Sequence, residues 1–506
     1  MSTTDRTSSQ PRVAVVGAGV AGMAAAAELA ARGMRVVLFD QRKALGGRAS
    51  SFYDPRVGIQ VDHGHHAVMG CCTNVLDLFG RAGVTDCFHR ERVLNFVDAG
   101  GRVHRFAPGR WLPAPLHLLV GLGRLRLLLP GERLGVMRTM SRLAGRRLSA
   151  TELRGTVATW LRWQGESERA IEQFWTPLLV SALSETLDRI AVAAARKVCR
   201  DGMLAARDAY ELYLPTCSLH AIFHERMGDW LRRLGVEMRL PARVARVQQH
   251  PAAQPKRARM RAVGITLANG ESLPFDFIIL AVPWYSVRGL LPAEMLAWMP
   301  ELAVIHRYEP APITAVHLWF DRPITPLPHA VLPGRMSQWL FRLPQSNRSI
   351  PAAANGRSLV NNRQSADISP AAPPAHDHYQ VLISAAYEAA AMPKERLVER
   401  VVGELHELGR DARDAQLQHR RVSTQLRAVF SPAAGLEPYR PGPDTAAENV
   451  VLAGDWIATG WPSTLESAVR SGRMAAERVL ERLGCSESLL TPDLPRARLT
   501  RWLIGP

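Results

Sequence analysis

Two stretches of this 506-residue chain concentrate residue types that can do chemistry. Gly17-Ala-Gly-Val-Ala-Gly22 spaces three glycines so that the backbone can turn tightly at Gly17. Bare N–H groups can then approach a pyrophosphate at Gly19, and a helix can pack closely on its strand at Gly22. Asp40 follows about 20 residues on, where a carboxylate can accept from a ribose hydroxyl. Asp62-His-Gly-His-His66 gathers a carboxyl with imidazoles, groups that exchange protons near neutral pH.

The glycines act this way only between a strand and a helix. Residues 13–16 form a buried-strand run, the alanine-rich stretch to Arg32 reads as a helix, Gly33 stops it, and 35–40 make a second strand. That is one complete βαβ unit. Near the other end, the apolar strand 449–453 leads through Gly454-Asp455 into a helix. There Ser463 and Glu466 have the spacing of a capping box, and Leu465, Ala468, Val469 and Gly472 share a face. Between these units, residues 236–247 and 264–282 read as strands around a turn at Asn269-Gly270, so the chain re-enters a sheet far from its start. A strand at 379–385 and an amphipathic helix at 394–408 come next. Residues 351–378, rich in Ala, Pro, Ser and Asn, show no apolar period and read as a flexible surface insertion.

Composition bounds the rest. With 47 % hydrophobic residues and 63 Lys+Arg against 46 Asp+Glu, a net charge of +17, the chain is neither a disordered polymer nor a small stapled domain. Its six cysteines (Cys71, Cys72, Cys87, Cys199, Cys217 and Cys485) contain no CxxC pair, so no disulfide framework and no metal site is expected. A reducing, cytoplasmic setting fits. No window supplies 18 uncharged apolar residues, and no spanning segment is expected. The scattered arginines match no nucleic-acid module. Residues 111–129, an apolar run broken by prolines, glycines and arginines, read either as a core or lid helix or as a surface that dips into an anionic leaflet.

The residues just after Asp40 narrow the nucleotide. Arg42 and Gly46-Gly47-Arg48 resemble the FAD-binding start of the flavin amine oxidase and phytoene desaturase superfamily. Val244, the strand 276–283 and Gly454-Asp455 are similar to further segments of it, in the same order. Within that superfamily, Asp62-x-Gly64-x-His66 resembles the hydroxysqualene dehydroxylases and also the carotene desaturases, while Phe174-Trp175-x-Pro177-Leu178, Phe430-Ser-Pro, Arg440-Pro441 and the stretch 454–472 resemble the hydroxysqualene dehydroxylases. The chain departs from the pattern at Cys72, where an aromatic residue is common, and at Asp40, where glutamate is usual. Thr464 stands where amine oxidases carry an aromatic cage residue, and the lysines are only Lys43, Lys197, Lys256 and Lys394. An amine substrate is thereby disfavoured.

The resemblance implies an α/β fold: a Rossmann-like FAD-binding domain (residues 1–75, 230–300 and 430–490) interleaved with a mixed α+β substrate domain (76–229 and 301–429). Region 108–150 is the candidate membrane contact. It implies FAD held by Gly17, Gly19, Val20, Ala21, Gly22, Asp40, Arg42, Gly47, Arg48, Val244, Gly454, Asp455 and Leu465, and a long apolar tunnel for an isoprenoid substrate. The implied reaction is reductive removal of the allylic hydroxyl of hydroxysqualene, giving squalene, with an electron donor that the sequence does not identify. His66 is the first choice for the acid that protonates the hydroxyl, with His65 and Asp62 behind it; alternatively Asp62 and His66 stabilise the turn or contact the cofactor. A carotene-type desaturase, and an escort of prenylated partners that has lost FAD, are the competing readings. Localisation at the inner face of the membrane would suit a water-insoluble substrate.

Overall fold

Strand Arg12–Val16 alternates its side chains between two apolar layers, as a strand buried on both faces must. The computed structural model describes residues 10–145, 148–249, 260–343 and 377–504. Val13 and Val15 face helices Val20–Ala30 and Leu465–Arg482; Ala14 and Val16 face a small antiparallel sheet. The strand sits at the centre of a five-stranded sheet in the order Glu237–Arg239, Arg35–Phe39, Arg12–Val16, Phe277–Leu280, Val450–Leu452. All four pairings are parallel. Segments from the beginning, middle and end of the chain therefore share one sheet.

The middle segments divide more finely than their apolar pattern predicts. The expected strand 236–247 is broken: Glu237–Arg239 joins the parallel sheet, while Val244–Gln249 pairs with Ala262–Leu267 and that strand with Ser272–Pro274. Pro241, which lacks an N–H to give a ladder, lies at the break. The second expected strand likewise splits, with Phe277–Leu280 returning to the parallel sheet.

A seven-stranded sheet forms the other half, ordered Leu417–Phe430, Pro310–Phe320, Asp377–Ser384, Trp339–Arg342, His329–Val331, Leu94–Val97, Val103–Phe106. Helices including Pro130–Ala144, Thr176–Leu183 and Val192–Lys197 pack an apolar cluster beside it. The run 111–129 holds one short helix, His117–Arg124, and it is two-sided: His117, Leu118 and Leu122 are buried, whereas Trp111 is 85 % exposed and Leu119 is exposed too. Among the described residues no helix is long and apolar enough to cross a membrane. Of the expected insertion 351–378, residues 351–376 lie outside the described residues. Asp377 and His378 do not belong to it: both are buried in a strand paired on two sides.

Candidate active site

Sterics account for the first turn. Gly17 has φ +108°, and a Cβ there would lie 2.3 Å from the Ala281 carbonyl oxygen. A Cβ on Gly22 would stand 1.9 Å from the Gly17 carbonyl oxygen, so that glycine serves helix packing. At Gly19 the added atom would meet only Gly47 Cα, at 4.0 Å. Helix Val20–Ala30 starts at this open spot with no side-chain cap, which leaves its first N–H groups for an anion.

Asp40 braces the turn as well as facing the cavity: its carboxylate accepts from Ala18 N–H at 2.8 Å and from Arg42 N–H at 2.9 Å. Arg42 in turn donates to the Gly47 carbonyl at 2.7 Å, which holds the second glycine turn against the first. Arg48 donates to the Ala428 carbonyl at 2.9 Å and forms an ion pair with Asp455. The other Asp455 oxygen accepts from Ser463 Oγ. Burial opposes ionisation of Asp455, but Arg48, with Ser463 and Arg440, outweighs it and holds the carboxyl below its usual range. Arg440 is itself buried and donates to the Asp455 and Trp461 carbonyls at 2.8 and 2.7 Å, so the loop after the last strand is built around its guanidinium.

The next helix begins one residue later than its spacing predicts. Thr464, not Ser463, is the N-cap and accepts from Ser467 N–H. Glu466 does not reach back to cap its own helix: it accepts from Asn74 N–H at 3.3 Å and Val75 N–H at 3.0 Å, at the start of helix Thr73–Ala82. A nearby helix end with free N–H groups outcompetes the local partner. Gly472 lets the helix cross Val20–Ala30 closely, since a Cβ there would be 2.2 Å from the Ala21 carbonyl oxygen.

These turns open on one cavity of about 750 Å³. Gly17, Gly19, Val20, Ala21, Asp40, Arg42, Gly47, Arg48, Val244, Gly454, Asp455 and Leu465 all line it, and His65 and His66 line its continuation. Gly22 and Asp62 do not. The Gly19 opening, the uncapped helix and the converging loops fit a dinucleotide.

Burial and neighbouring charge bear on the proton chemistry expected of the histidines. Burial, Arg48 and His63 push His66 down to about 4, and burial with His66, His317 and His329 pushes His65 to about 3, so neither stores a proton at neutral pH. Asp62 is pushed up to about 7 by burial, against Ser51 and the Leu219 N–H. Its contacts, Ser51 Oγ at 2.6 Å and Leu219 N–H at 3.0 Å, make it a brace for the turn that carries His65 and His66.

Sequence reasoning named Lys197 only as one of four lysines and did not foresee its place at the cavity. It lies on the cavity wall with Nζ 4.3 Å from the Trp461 ring centre and ion pairs to Asp201 and Asp493 at 2.9 and 3.3 Å. Its rarity was a signal, but nothing local ties it to Trp461. Tyr210, Trp339 and Phe341 also line the cavity without any motif to announce them.

A parallel sheet, a glycine-turn helix aimed at a cavity and a distant loop closing on the same space define a dinucleotide-binding protein of the Rossmann type. The chain belongs to the flavin containing amine oxidoreductase family, which it matches over residues 20–480, and it is an FAD-dependent oxidoreductase. It is 25 % identical to a probable zeta-carotene desaturase of Synechococcus elongatus, over 93 % of this chain and 98 % of that one. To a hydroxysqualene dehydroxylase of Zymomonas mobilis it is also 25 % identical, over 92 % and 98 %. Its backbone is similar to that of cyclohexylamine oxidase from Brevibacterium oxydans, with a TM-score of 0.64 at 18 % identity over 94 % of this chain and all of that one. That last likeness is one of fold.

Proposed function

We propose that the protein reduces a hydroxylated polyisoprenoid, hydroxysqualene, to squalene. The observation that carries this reading is the wall of the cavity beyond the nucleotide turns: Phe96, Phe106, Phe174, Leu178, Leu183 and Trp339 line it, with few polar groups among them. Such a wall suits a long hydrocarbon chain and excludes water. FAD, when bound, supplies hydride exchange with a carbon atom. Gly17, Gly19, Val20, Ala21, Gly47 and Leu465 would hold it through backbone contacts, Asp40 and Arg42 at the nucleoside end, Val244 at the adenine, and Gly454, Asp455 and Arg48 where the last loop closes. Gly22 belongs to the packing that shapes this cradle.

The chain's own part is to bind, orient and keep dry. His66, neutral, would hydrogen-bond the departing hydroxyl through one ring N–H, the proton that lets it leave as water being taken up from solvent rather than from a standing imidazolium, and Asp62 would position His66 by bracing the turn. We divide the chain into a nucleotide domain (residues 1–75, 230–300 and 430–490) and a substrate domain (76–229 and 301–429), a division supported by the five-stranded parallel sheet, drawn from residues 12–16, 35–39, 237–239, 277–280 and 450–452, and by the seven-stranded sheet, drawn from 94–106, 310–342, 377–384 and 417–430. The exposed side of region 108–150, with Trp111, Leu112, Leu119, Leu129 and Leu134 outward beside Arg110, Arg124, Arg126 and Arg133, is where the substrate's membrane would be met. The escort reading is set aside by the intact cradle and the family.

A carotene-type desaturation, in which hydride leaves the isoprenoid, is the second reading, favoured by the equal identity to the Synechococcus protein. Anaerobic mixing separates them. The first reading requires that hydroxysqualene reoxidise the reduced holoenzyme with formation of squalene; if only phytoene acts, by bleaching the oxidised holoenzyme, the second replaces it.

A further inference from the structure

We propose that Cys87 and Cys217, with Arg226 beside them, form a peroxide-reactive thiol pair: hydrogen peroxide joins the two sulfurs in a disulfide, and a dithiol reductant separates them again. Neither cysteine lines the cavity, and the inference is independent of which isoprenoid the protein acts on.

The backbone brings the pair together from distant segments. Cys87 closes the short helix Thr85–Cys87 just before strand Phe88–Glu91, and Cys217 lies two residues beyond strand Leu212–Pro215. The strands are antiparallel, with Phe88 opposite Pro215, and the pairing continues one step further: Thr216 N–H donates to the Cys87 carbonyl at 2.8 Å. Cys217 is therefore one residue from the position that faces Cys87, and the two thiols are hydrogen-bonded to each other. Sulfurs in such contact need little backbone movement to reach the span of a disulfide. Both are free thiols, Cys87 buried and Cys217 half-buried, so a reagent from solvent meets Cys217 first.

Arg226, at the end of helix His220–Arg226, sets the chemistry of the pair. Its Nη1 donates to Cys87 Sγ at 2.8 Å and to Asp86 at 2.9 Å, while its Nη2 donates to the Gly83 carbonyl at 2.7 Å. A guanidinium held against a thiol favours the thiolate, which is the form that attacks peroxide. The hydrogen bond from Cys87, helped by Thr216 and Arg226, lowers Cys217 in spite of its burial, and Cys87 keeps the shared proton. Cys199, where burial acts alone, is instead pushed up to about 12.

One peroxide balances the reaction. The Cys217 thiolate takes one peroxide oxygen, the O–O bond breaks, and the other oxygen leaves as hydroxide, which gives a sulfenic acid. Cys87 sulfur then attacks Cys217 sulfur, the S–S bond forms, and the S–O bond breaks. The two departing hydroxides take the protons that the two thiols gave up. Two thiols and one peroxide thus yield one disulfide and two waters, with two electrons passing from sulfur to oxygen. Reduced flavins release peroxide when they meet oxygen, so a flavoprotein has this oxidant close at hand. The new bond would anchor the segment whose Leu219 N–H donates to Asp62 at 3.0 Å and whose His220 N–H donates to Ser51 Oγ at 2.9 Å.

The test gives thiol-reduced wild-type holoenzyme an equimolar amount of hydrogen peroxide at about pH 7, alkylates the remaining thiols and reads unreduced peptides by mass spectrometry. A Cys87–Cys217 linkage is expected ahead of oxidation at the exposed Cys485, and dithiothreitol should remove it. Arg226→Gln should form the linkage about tenfold more slowly at that pH and recover most of the rate at about pH 9.5, where the thiols ionise without help. A wild type whose Cys87 and Cys217 stay thiols, or pair with other cysteines, overturns the proposal while squalene production still stands. Arg226→Gln that reacts at the wild-type rate at neutral pH overturns the part given to Arg226.

Discussion

Arg48 and Asp455, 407 positions apart in the chain, form an ion pair on the wall of the cavity. Through Arg48 the pair also reaches the Ala428 carbonyl, and through Asp455 the Ser463 hydroxyl, so the second glycine turn, the longest strand of the seven-stranded sheet and the loop after Val450–Leu452 meet at one point. Asp455→Ala leaves a guanidinium without its counter-charge. Breaking a buried pair from one side costs about 3–5 kcal/mol, and because Arg48 keeps 27 % side-chain exposure the expected loss is about 2–4 kcal/mol in denaturant unfolding of the FAD-free protein. An unchanged midpoint would mean the pair is solvated and idle.

Two glycine substitutions should separate fold from cofactor. Gly472→Ala drives a Cβ into the backbone oxygen of Ala21 and is expected to destabilise by about 3 kcal/mol, the upper range for overpacking. Gly19→Ala adds an atom with no close neighbour, so the protein should unfold near the wild-type midpoint yet bind FAD at least about tenfold more weakly, because the methyl occupies the approach to the helix N-terminus. Titration of the apoproteins with FAD, beside their melting curves, checks both. Normal FAD affinity in Gly19→Ala would move the cofactor away from this turn.

Acid should unfold the protein earlier than its carboxylates alone would. His65 is held at about 3, and His66, His117 and His317 at about 4, all below the ordinary 6.5. Between pH 6.5 and 4 the unfolded chain takes up protons that the folded one refuses, so stability falls with pH, by up to about 1.4 kcal/mol per pH unit for each group. Asp62 acts in the opposite sense: raised to about 7 from 3.8, it favours the fold at low pH and ceases to as pH rises through 7. Four groups oppose one. Melting temperatures measured from pH 7.5 to 5 should decline steadily, and a flat profile would show that these imidazoles are already hydrated.

Sedimentation with anionic liposomes should carry the protein down at low salt and release it as salt rises, since the arginines near Trp111 act through a screened field. Trp111→Ser combined with Leu134→Ser, both strongly exposed, should weaken recovery in the pellet without changing the melting temperature. Equal pelleting of the double variant would place membrane contact elsewhere or nowhere.

His66→Ala is expected to slow squalene formation at unchanged FAD content, and His66→Gln, which still offers an N–H, to recover part of the rate. Full turnover in the alanine variant would remove His66 from the reaction.

The first βαβ unit was legible residue by residue, because its causes are local: apolar alternation in 13–16, a glycine whose φ is positive, a helix stop at Gly33. The Asp455 loop was legible as a motif, though its builder, Arg440, stood out only for its likeness to a family and not for the carbonyls it gathers. Glu466 was misread for the same reason that the place of Lys197 was not foreseen. Each has its partners in sequence-distant segments, Glu466 at Asn74 and Lys197 at Asp493, and spacing along the chain carries no information about them.

Primary structure therefore settled which segments could turn, stack and cradle a nucleotide, since short-range sterics depend on neighbours a few residues away. Folding alone determined that His65 and His66 are buried where charge is disfavoured, that Asp62 does not face the cavity, and that an apolar wall continues from the nucleotide turns. Charge state and pairing depend on how far water is excluded and on which remote group arrives, and both arise only when distant parts of the chain come into contact.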